Sequence, residues 1–305
     1  MAGKRSLMPP GEDALLARLL SKVPVCAGLG PGDDCAAVPG PARGEWLLLK
    51  TDAVAEDVHF LRSHDPAQVG WKALCRPLSD IAAMGGTPSE ALVTFFSPPG
   101  LDASWWVRFY EGLGRAARRF GVTVAGGEMS RQTHGIAVSI ALTGRVRRSH
   151  LATRSGGKPG DLLVVTGRLG GSPGGRHLTF VPRLEEGRWL ARHARPHAMM
   201  DLSDGLGSDL PRLAAACGGG FEIDRPRIPR HRGCSIEQAL SDGEDYELLL
   251  AVTPARWNSL ANRWRGVFPN LPLTVIGRLT ATPGLPADWP SGWDHFRTPD
   301  ARGKS

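Results

Sequence analysis

The segment Met200-Asp201-Leu202-Ser203-Asp204-Gly205-Leu206 places two carboxylates three residues apart, separated by a hydroxyl and followed by a glycine. An apolar pair precedes Asp201, and leucines follow at the helical spacing of positions 206, 210 and 213. The pattern predicts a short buried strand that ends at Asp201, a turn through Ser203 and then a helix. Carboxylates are therefore expected beside a helix N-terminus, whose free N–H groups favour anions.

Two interpretations of this segment stay open from its own residues. Ser or Asp before a helix is commonly an N-cap, which needs no ligand. Alternatively, a divalent cation lies between the carboxylates and the oxygens of a bound phosphate, since acids do not otherwise gather at an anion site.

The composition is that of an ordinary globular protein. The chain has 305 residues, 41% of them hydrophobic and 22% charged, and is long enough for two domains with separate cores. The first ten residues carry Lys4 and Arg5 but no apolar run, and no later stretch is long enough to span a bilayer. We therefore expect no signal peptide, no membrane partner and a cytoplasmic location.

Cysteine usage and charge narrow the function classes further. Five cysteines show no Cys-x-x-Cys pairing, which argues for reduced thiols and against a zinc site. The net charge of +7 comes from arginines scattered through predicted helices and loops rather than clustered with aromatic residues. This distribution argues against a nucleic-acid partner and is compatible with polyanionic small ligands.

Acidic residues recur at the ends of predicted strands. The turn Gly30-Pro31-Gly32-Asp33-Asp34 leads into an apolar strand, and its glycines precede acids rather than the lysine of a Walker phosphate loop. The predicted strand Trp46–Lys50 ends in Thr51-Asp52, and the predicted strand at 122–125 ends in Gly126-Gly127-Glu128. Independent caps and turns would not each follow a buried strand, so the repetition favours one shared site for metal and phosphate.

A predicted helix from Asp65-Pro66 to Met84 carries one more acid. Asp80 lies there among apolar residues, where an uncompensated carboxylate would be costly, so we expect a cationic partner for it. Pro77 is expected to kink the same helix. A basic, glycine-rich stretch at 147–160 predicts a boundary between an N-terminal domain at 1–148 and a C-terminal domain at 149–305.

Six motifs in this order resemble the thiamine-monophosphate kinase family, from about residue 12 to Phe296. They are Gly30-x-Gly32-Asp33-Asp34-x-Ala36, Thr51-Asp52 to His59-Phe60, Trp71-Lys72-Ala73-Leu74 to Met84-Gly85, Asp201 to Leu206, Gly243-Glu244-Asp245-Tyr246-Glu247-Leu248 and Gly292-Trp293-Asp294-His295-Phe296. The resemblance implies an α/β (α+β) fold of two domains shared with aminoimidazole ribonucleotide synthetase. It also implies a homodimer whose N-terminal sheets form a barrel, with ATP bound near that interface.

The family reaction implied is direct, in-line transfer of the ATP γ-phosphoryl group to thiamine monophosphate, which yields thiamine diphosphate and ADP. An acceptor phosphate is already anionic near neutral pH, so charge repulsion is a larger obstacle than the lack of a strong base. Several Mg²⁺ ions are expected as cofactors because they neutralise both phosphates and hold them in line.

The resemblance also implies site residues. The implied metal ligands are Asp34, Thr51, Asp52, Asp80, Glu128, Asp201 and Asp204, of which Asp52, Asp80 and Asp204 are the implied catalytic residues. The implied ATP contacts are Thr51, Tyr110, Gly127, Glu128, Arg154 and Ser203. The implied contacts to thiamine are His59, Glu244 and Trp293, where an indole face suits a cationic aromatic ligand.

The chain departs from the family pattern at four places. Lys50 stands where the family usually has Ser or Thr, Glu128 replaces Asp, and Pro77 replaces Asn. The helix that usually follows the glycine loop is missing after Gly175. Lys50 could supply the charge of one metal ion or point away, and Glu128 could reach back to pair with it.

Two other functions compete with the kinase. Selenophosphate synthetase has similar acidic motifs but needs a reactive Cys or selenocysteine with a Lys in an upstream glycine-rich segment, and Cys26 lacks that setting. Lys50, Glu128 and the missing helix would instead suit a nucleotide- or thiamine-phosphate-binding protein without turnover.

Overall fold

The computed structural model describes residues 12–26, 29–286, 288–290 and 292–293, so Gly28 and the motif residues Asp294, His295 and Phe296 lie outside the described residues. The described helices are α1 Glu12–Leu20, α2 Pro66–Ala83, α3 Ala103–Phe120, α4 Leu184–Trp189, α5 Leu206–Ala216, α6 Ile236–Ser241 and α7 Pro254–Val267. The described strands are β1 Ala36–Pro39, β2 Glu45–Ala55, β3 Thr87–Ser97, β4 Thr123–Arg131, β5 Ala137–Arg147, β6 Leu162–Thr166, β7 Ala198–Asp201, β8 Gly220–Ile223, β9 Leu248–Val252 and β10 Leu273–Thr280.

The first sheet has the strand order β1-β2-β5-β3-β4, with only the β3–β4 pair parallel. Its strands alternate between a face that packs against α2 and α3 and a face that is open. On β2, Leu48 and Val54 are buried on the helix side, whereas Leu49 on the other side is 40% exposed. Lys50 and Asp52 share the helix side by the same alternation, and Thr51 lies on the open side.

The second sheet has the order β7-β9-β6-β10-β8 and is antiparallel throughout. Apolar side chains cover both of its faces. Leu163 and Val165 pack with α5 and α6, while Val164 packs with α7 and the segment 190–194. The predicted boundary at residue 148 falls between the two sheets and stays a prediction.

The central sequence segment folds as expected, because β7 ends at Asp201 and α5 begins at Leu206. The helix N-cap is Gly205 and makes no side-chain capping bond, so the interpretation of the acids as N-caps is wrong. Helix α2 is capped by Asp65, whose carboxylate accepts a bond from Ala67 N, and it continues through Pro77 as one helix. The kink expected at Pro77 stays a prediction.

Two strands are longer than the sequence predicts. Strand β2 continues to Ala55, so Thr51 and Asp52 lie within it rather than at its end. Strand β4 continues through Gly126 and Gly127 to Arg131. A Cβ atom at Gly127 would lie 1.9 Å from Val93 O, so glycine is what allows β4 to pair closely with β3 there. Within the described part of the chain, no helix is both long and apolar enough to cross a membrane.

Candidate active site

Three buried carboxylates from both halves of the chain meet at one point. Asp34 precedes β1, Asp80 lies near the end of α2, and Asp201 is the last residue of β7. One oxygen atom of each lies within 4.8 Å of the other two. We call Asp34, Asp80 and Asp201 the acid cluster; it unites three of the predicted metal ligands.

Each carboxylate of the acid cluster contacts a polar side chain of another described residue. Arg154 donates from Nε to Asp34 Oδ1 at 3.0 Å, and Lys50 Nζ lies 2.6 Å from Asp80 Oδ1. Ser79 donates from Oγ to Asp201 Oδ2 at 2.6 Å. The expected cationic partner of Asp80 is thus confirmed and is Lys50.

The acid cluster fits a hard divalent cation. Burial, followed by the charge of Asp34, raises the pKa of Asp201 to about 7. Burial, followed by the charges of Asp201, Asp52 and Asp34, raises the pKa of Asp80 well above its usual range, although Lys50 opposes this. Asp34 Oδ2 is buried without a hydrogen-bond partner in the described structure. Carboxylate oxygens crowded in this way are ligands that Mg²⁺ prefers.

The other two predicted catalytic acids, Asp52 and Asp204, lie outside the acid cluster. Asp52 Oδ1 lies 3.4 Å from Arg76 NH2. Asp204 pairs with the guanidinium of Arg212, and its backbone N–H donates to Oδ2 of the buried Asp209 at 2.9 Å. Both acids therefore have arginine partners of their own.

A cavity of about 300 Å³ brings together all three residues predicted to contact thiamine. Its wall includes His59, Arg76, Ser203, Asp204, Glu244 and Trp293. A larger cavity of about 680 Å³ is lined by arginines of β5 and the α4 region and contains none of the predicted site residues. We therefore locate the candidate site at the smaller cavity, which we call the substrate cavity.

A buried ion-pair network fixes Glu244 at the substrate cavity. Lys72 is fully buried, with Nζ 2.6 Å from Glu244 Oε1 and 2.7 Å from His177 Nδ1, and it donates to His59 O at 2.6 Å. Burial lowers the pKa of Lys72 to about 8, although the charge of Glu244 opposes this. Burial alone would raise the pKa of Glu244, but the bond from His177 and the charge of Lys72 lower it to about 2. Lys72 and His177 are not among the site residues predicted from the sequence.

The backbone around Glu244 is strained. Glu244 and Tyr246 have φ values of 53° and 52°, in the left-handed region that non-glycine residues rarely adopt. Their backbone N–H groups donate to Ser203 O at 2.7 Å and to Leu202 O at 2.8 Å. The tyrosine ring also stacks on Phe180 with ring centroids 3.9 Å apart. These contacts hold the segment that carries Glu244 against the segment that carries Asp204.

Several predicted residues lie away from the acid cluster. Thr51 and Glu128 are exposed on the open face of the first sheet, Gly127 lies beside Glu128 in β4, and Tyr110 is 41% exposed on α3. Their roles stay predictions. The suggested pairing of Glu128 with Lys50 is wrong, because alternation along β2 places the ammonium on the opposite face, where it binds Asp80.

Comparisons with known proteins agree with the fold. The sequence profile of the AIR synthase related protein, N-terminal domain, matches residues 32–146. The solved structure of AaThiL complexed with AMPPCP and TMP has a TM-score of 0.81 and 33% identity, and the match covers 93% of this chain and 97% of that one. The expected α/β fold is thereby confirmed.

Two curated relatives match over nearly their whole length. Thiamine-monophosphate kinase of Aquifex aeolicus (strain VF5) is 36% identical over 297 residues, which cover 87% of this chain and 92% of the relative. Thiamine-monophosphate kinase of Escherichia coli (strain K12) is 34% identical over 336 residues, which cover 96% and 100%. On this evidence, the chain belongs to the thiamine-monophosphate kinase family.

Proposed function

We propose that this chain transfers the γ-phosphoryl group of ATP directly and in line to the phosphate of thiamine monophosphate, giving thiamine diphosphate and ADP. The observation that carries the proposal is the position of the acid cluster beside the substrate cavity: Asp204, in the cavity wall, lies three residues from Asp201. The names of the curated relatives, and the AMPPCP and TMP bound by AaThiL, support the same substrates.

The reaction brings two anionic phosphate groups together, and the positive charges of the site would offset their repulsion. Asp34, Asp80 and Asp201 would hold Mg²⁺, with Asp52 and Asp204 beside them. When bound, Mg²⁺ supplies neutralisation of phosphate charge and orientation of the reacting oxygens. Lys50 and Arg154 add positive charge at fixed positions, which requires little reorganisation during transfer.

The substrate cavity would orient the thiamine moiety. Trp293 is 46% exposed and presents an indole at the wall, where a cationic aromatic ring can lie against its face. Glu244 stays ionised because its pKa is about 2, so its carboxylate offers a fixed negative charge to the same ligand. Ser203 and Arg154 would contact the nucleotide.

The open face of the first sheet supports a homodimer. Leu49 and Leu92 are 40% and 49% exposed on that face, and β4 is exposed along its whole length. Pairing with a second chain would cover this apolar surface. Thr51 and Glu128 lie on the same face, so ATP bound near the dimer interface would meet them.

The competing function is binding without turnover. Lys50 favours it, because its ammonium already compensates Asp80. Incubation of the purified protein with Mg-ATP and thiamine monophosphate distinguishes the two. Formation of thiamine diphosphate over many turnovers, prevented by excess EDTA, supports the kinase. Bound ligands without product support a binding protein.

A further inference from the structure

Arg76 connects the acid cluster to the substrate cavity. It lies on α2 four residues after Lys72 and four residues before Asp80, so the three side chains form one row along the helix. Lys72 belongs to the Glu244 network at one end of the row, and Asp80 belongs to the acid cluster at the other. Arg76 therefore lies between the Glu244 network and the acid cluster.

The guanidinium of Arg76 is incompletely paired. Its NH2 atom lies 3.4 Å from Asp52 Oδ1, which is longer than a usual bond between charged groups. The Nε and NH1 atoms are buried and have no hydrogen-bond partner in the described structure. A guanidinium carries five N–H donors, so at least three of them are unsatisfied. Buried unsatisfied donors are costly, and an anion from solution would satisfy them.

The position of the Arg76 side chain indicates which anion could bind to it. Arg76 lines the substrate cavity together with His59, Glu244 and Trp293, and its side chain is only 13% exposed. An anion that reaches it must enter beside the residues proposed to hold thiamine. A guanidinium edge matches two oxygens of one phosphate.

We propose that Arg76 is a specificity-determining residue that binds the phosphate of the acceptor, so that the site distinguishes a phosphomonoester from the corresponding alcohol. This inference rests on the proposed function, in which thiamine monophosphate is the acceptor. Arg76 acts on the acceptor phosphate rather than on the phosphates of ATP.

The test is titration calorimetry of wild type, Arg76→Gln and Arg76→Lys with three ligands: thiamine monophosphate, thiamine and Mg-AMPPCP. The Gln variant should bind thiamine monophosphate about 30-fold more weakly, since a charge-assisted bond is lost. Affinities for thiamine and Mg-AMPPCP should stay within about 2-fold. The Lys variant should recover part of the lost affinity, because it keeps the charge but not the fork. Arg118→Gln, an exposed arginine of α3, is the matched control and should change nothing.

Three outcomes would overturn the inference. Equal weakening of thiamine and thiamine monophosphate would mean that Arg76 only maintains the cavity. Weakening of Mg-AMPPCP alone would assign Arg76 to the donor phosphate, and unchanged affinities would remove it from recognition. If Arg76→Gln does not fold, Arg76→Lys is compared with wild type by the ratio of the affinity for thiamine monophosphate to the affinity for thiamine. A lower ratio in Arg76→Lys supports the inference, and an unchanged ratio overturns it.

Failure of the proposed function gives a different result. If only turnover fails, thiamine monophosphate still binds and the calorimetric test is unchanged. If the acceptor itself is wrong, wild type binds no thiamine monophosphate, and inorganic phosphate becomes the probe. A rise in Tm with phosphate that Arg76→Gln lacks would support the anion site, and equal rises in both proteins would overturn it.

Discussion

The ammonium of Lys50 lies 2.6 Å from Oδ1 of Asp80, so the chain itself supplies one positive charge to the acid cluster. Where family members usually carry Ser or Thr, a residue of β2 thus binds a predicted metal ligand on α2. An ammonium offers one charge and cannot be chelated by several oxygens as a divalent cation can. We therefore expect this contact to weaken the attraction of the acid cluster for metal.

Replacing Lys50 by Thr should therefore strengthen metal binding. Without Lys50, the buried carboxylate of Asp80 has no positive partner, and binding of a divalent cation would compensate its charge. Mn²⁺, used as a probe for Mg²⁺, should therefore bind about 10-fold more tightly or with one additional ion per chain. The measurement is Mn²⁺ titration followed by electron paramagnetic resonance, with Lys50→Arg as the charge-preserving control. Identical Mn²⁺ isotherms for Lys50→Thr and wild type would contradict this view of the contact.

Lys50 and Glu128 should act independently. They lie on opposite faces of the first sheet, and residues without shared partners usually show additive effects within about 0.5 kcal/mol. A double-mutant cycle of Lys50→Thr and Glu128→Asp, read out as kcat at several Mg²⁺ concentrations, measures the coupling. A coupling above about 1 kcal/mol would contradict this and would mean that the two side chains share a partner.

Much of this site is predictable from the sequence, because an acidic residue that follows a run of apolar residues often marks the end of a buried strand. This pattern predicts the position of Asp201 at the end of β7, and the glycine-rich turn predicts the position of Asp34 before β1. An acid among apolar residues predicts a cationic partner for Asp80, which is Lys50. Lys72 is an equally isolated charge in α2. It therefore also requires a partner of opposite charge, and in the structure that partner is Glu244.

Other features of the site have no hydrophobic periodicity in the sequence that would predict them. The glycine loop that delivers His177 has no repeating pattern, and the left-handed φ values of Glu244 and Tyr246 occur at non-glycine residues. The length of β4 depends on Gly127 passing close to Val93 O, which is a tertiary contact. For Thr51 and Asp52, periodicity gives opposite faces but does not say which face is covered.

Removal of the Glu244 charge should produce a pH-dependent loss of stability. The folded-state pKa of Glu244 is about 2 against an ordinary 4.5, so its stabilising effect is complete above pH 4.5 and is lost as pH falls toward 2. Glu244→Gln should lower the free energy of unfolding by about 1–3 kcal/mol at pH 6. That deficit should shrink between pH 4.5 and the lowest pH at which the protein stays folded.

Urea unfolding of both proteins from pH 6 down to pH 3 measures this deficit. Glu222→Gln, which breaks an exposed pair with Arg278, is the control and should cost little at any pH. A deficit for Glu244→Gln that stays constant over the whole range would show that the charge of Glu244 is not its source.

Trp293 should matter for the thiamine ligand alone. Trp293→Ala removes the indole from the cavity wall and should weaken thiamine monophosphate binding by about 10-fold, the size of a cation–π and packing contribution, while Mg-AMPPCP affinity stays the same. Trp293→Phe keeps an aromatic face and should retain most of the affinity. Equal weakening of both ligands in calorimetry would give the C-terminal segment a different role.

The most direct test of the account follows the phosphoryl group itself. Wild type is supplied with Mg²⁺, thiamine monophosphate and ATP labelled in its γ-phosphoryl group, and the products are separated and counted. Direct transfer predicts label in the terminal phosphate of thiamine diphosphate, one ADP for each thiamine diphosphate, and loss of both products in Asp204→Asn. Labelled inorganic phosphate with ADP but no labelled thiamine diphosphate, or no consumption of ATP although both ligands bind, would contradict it.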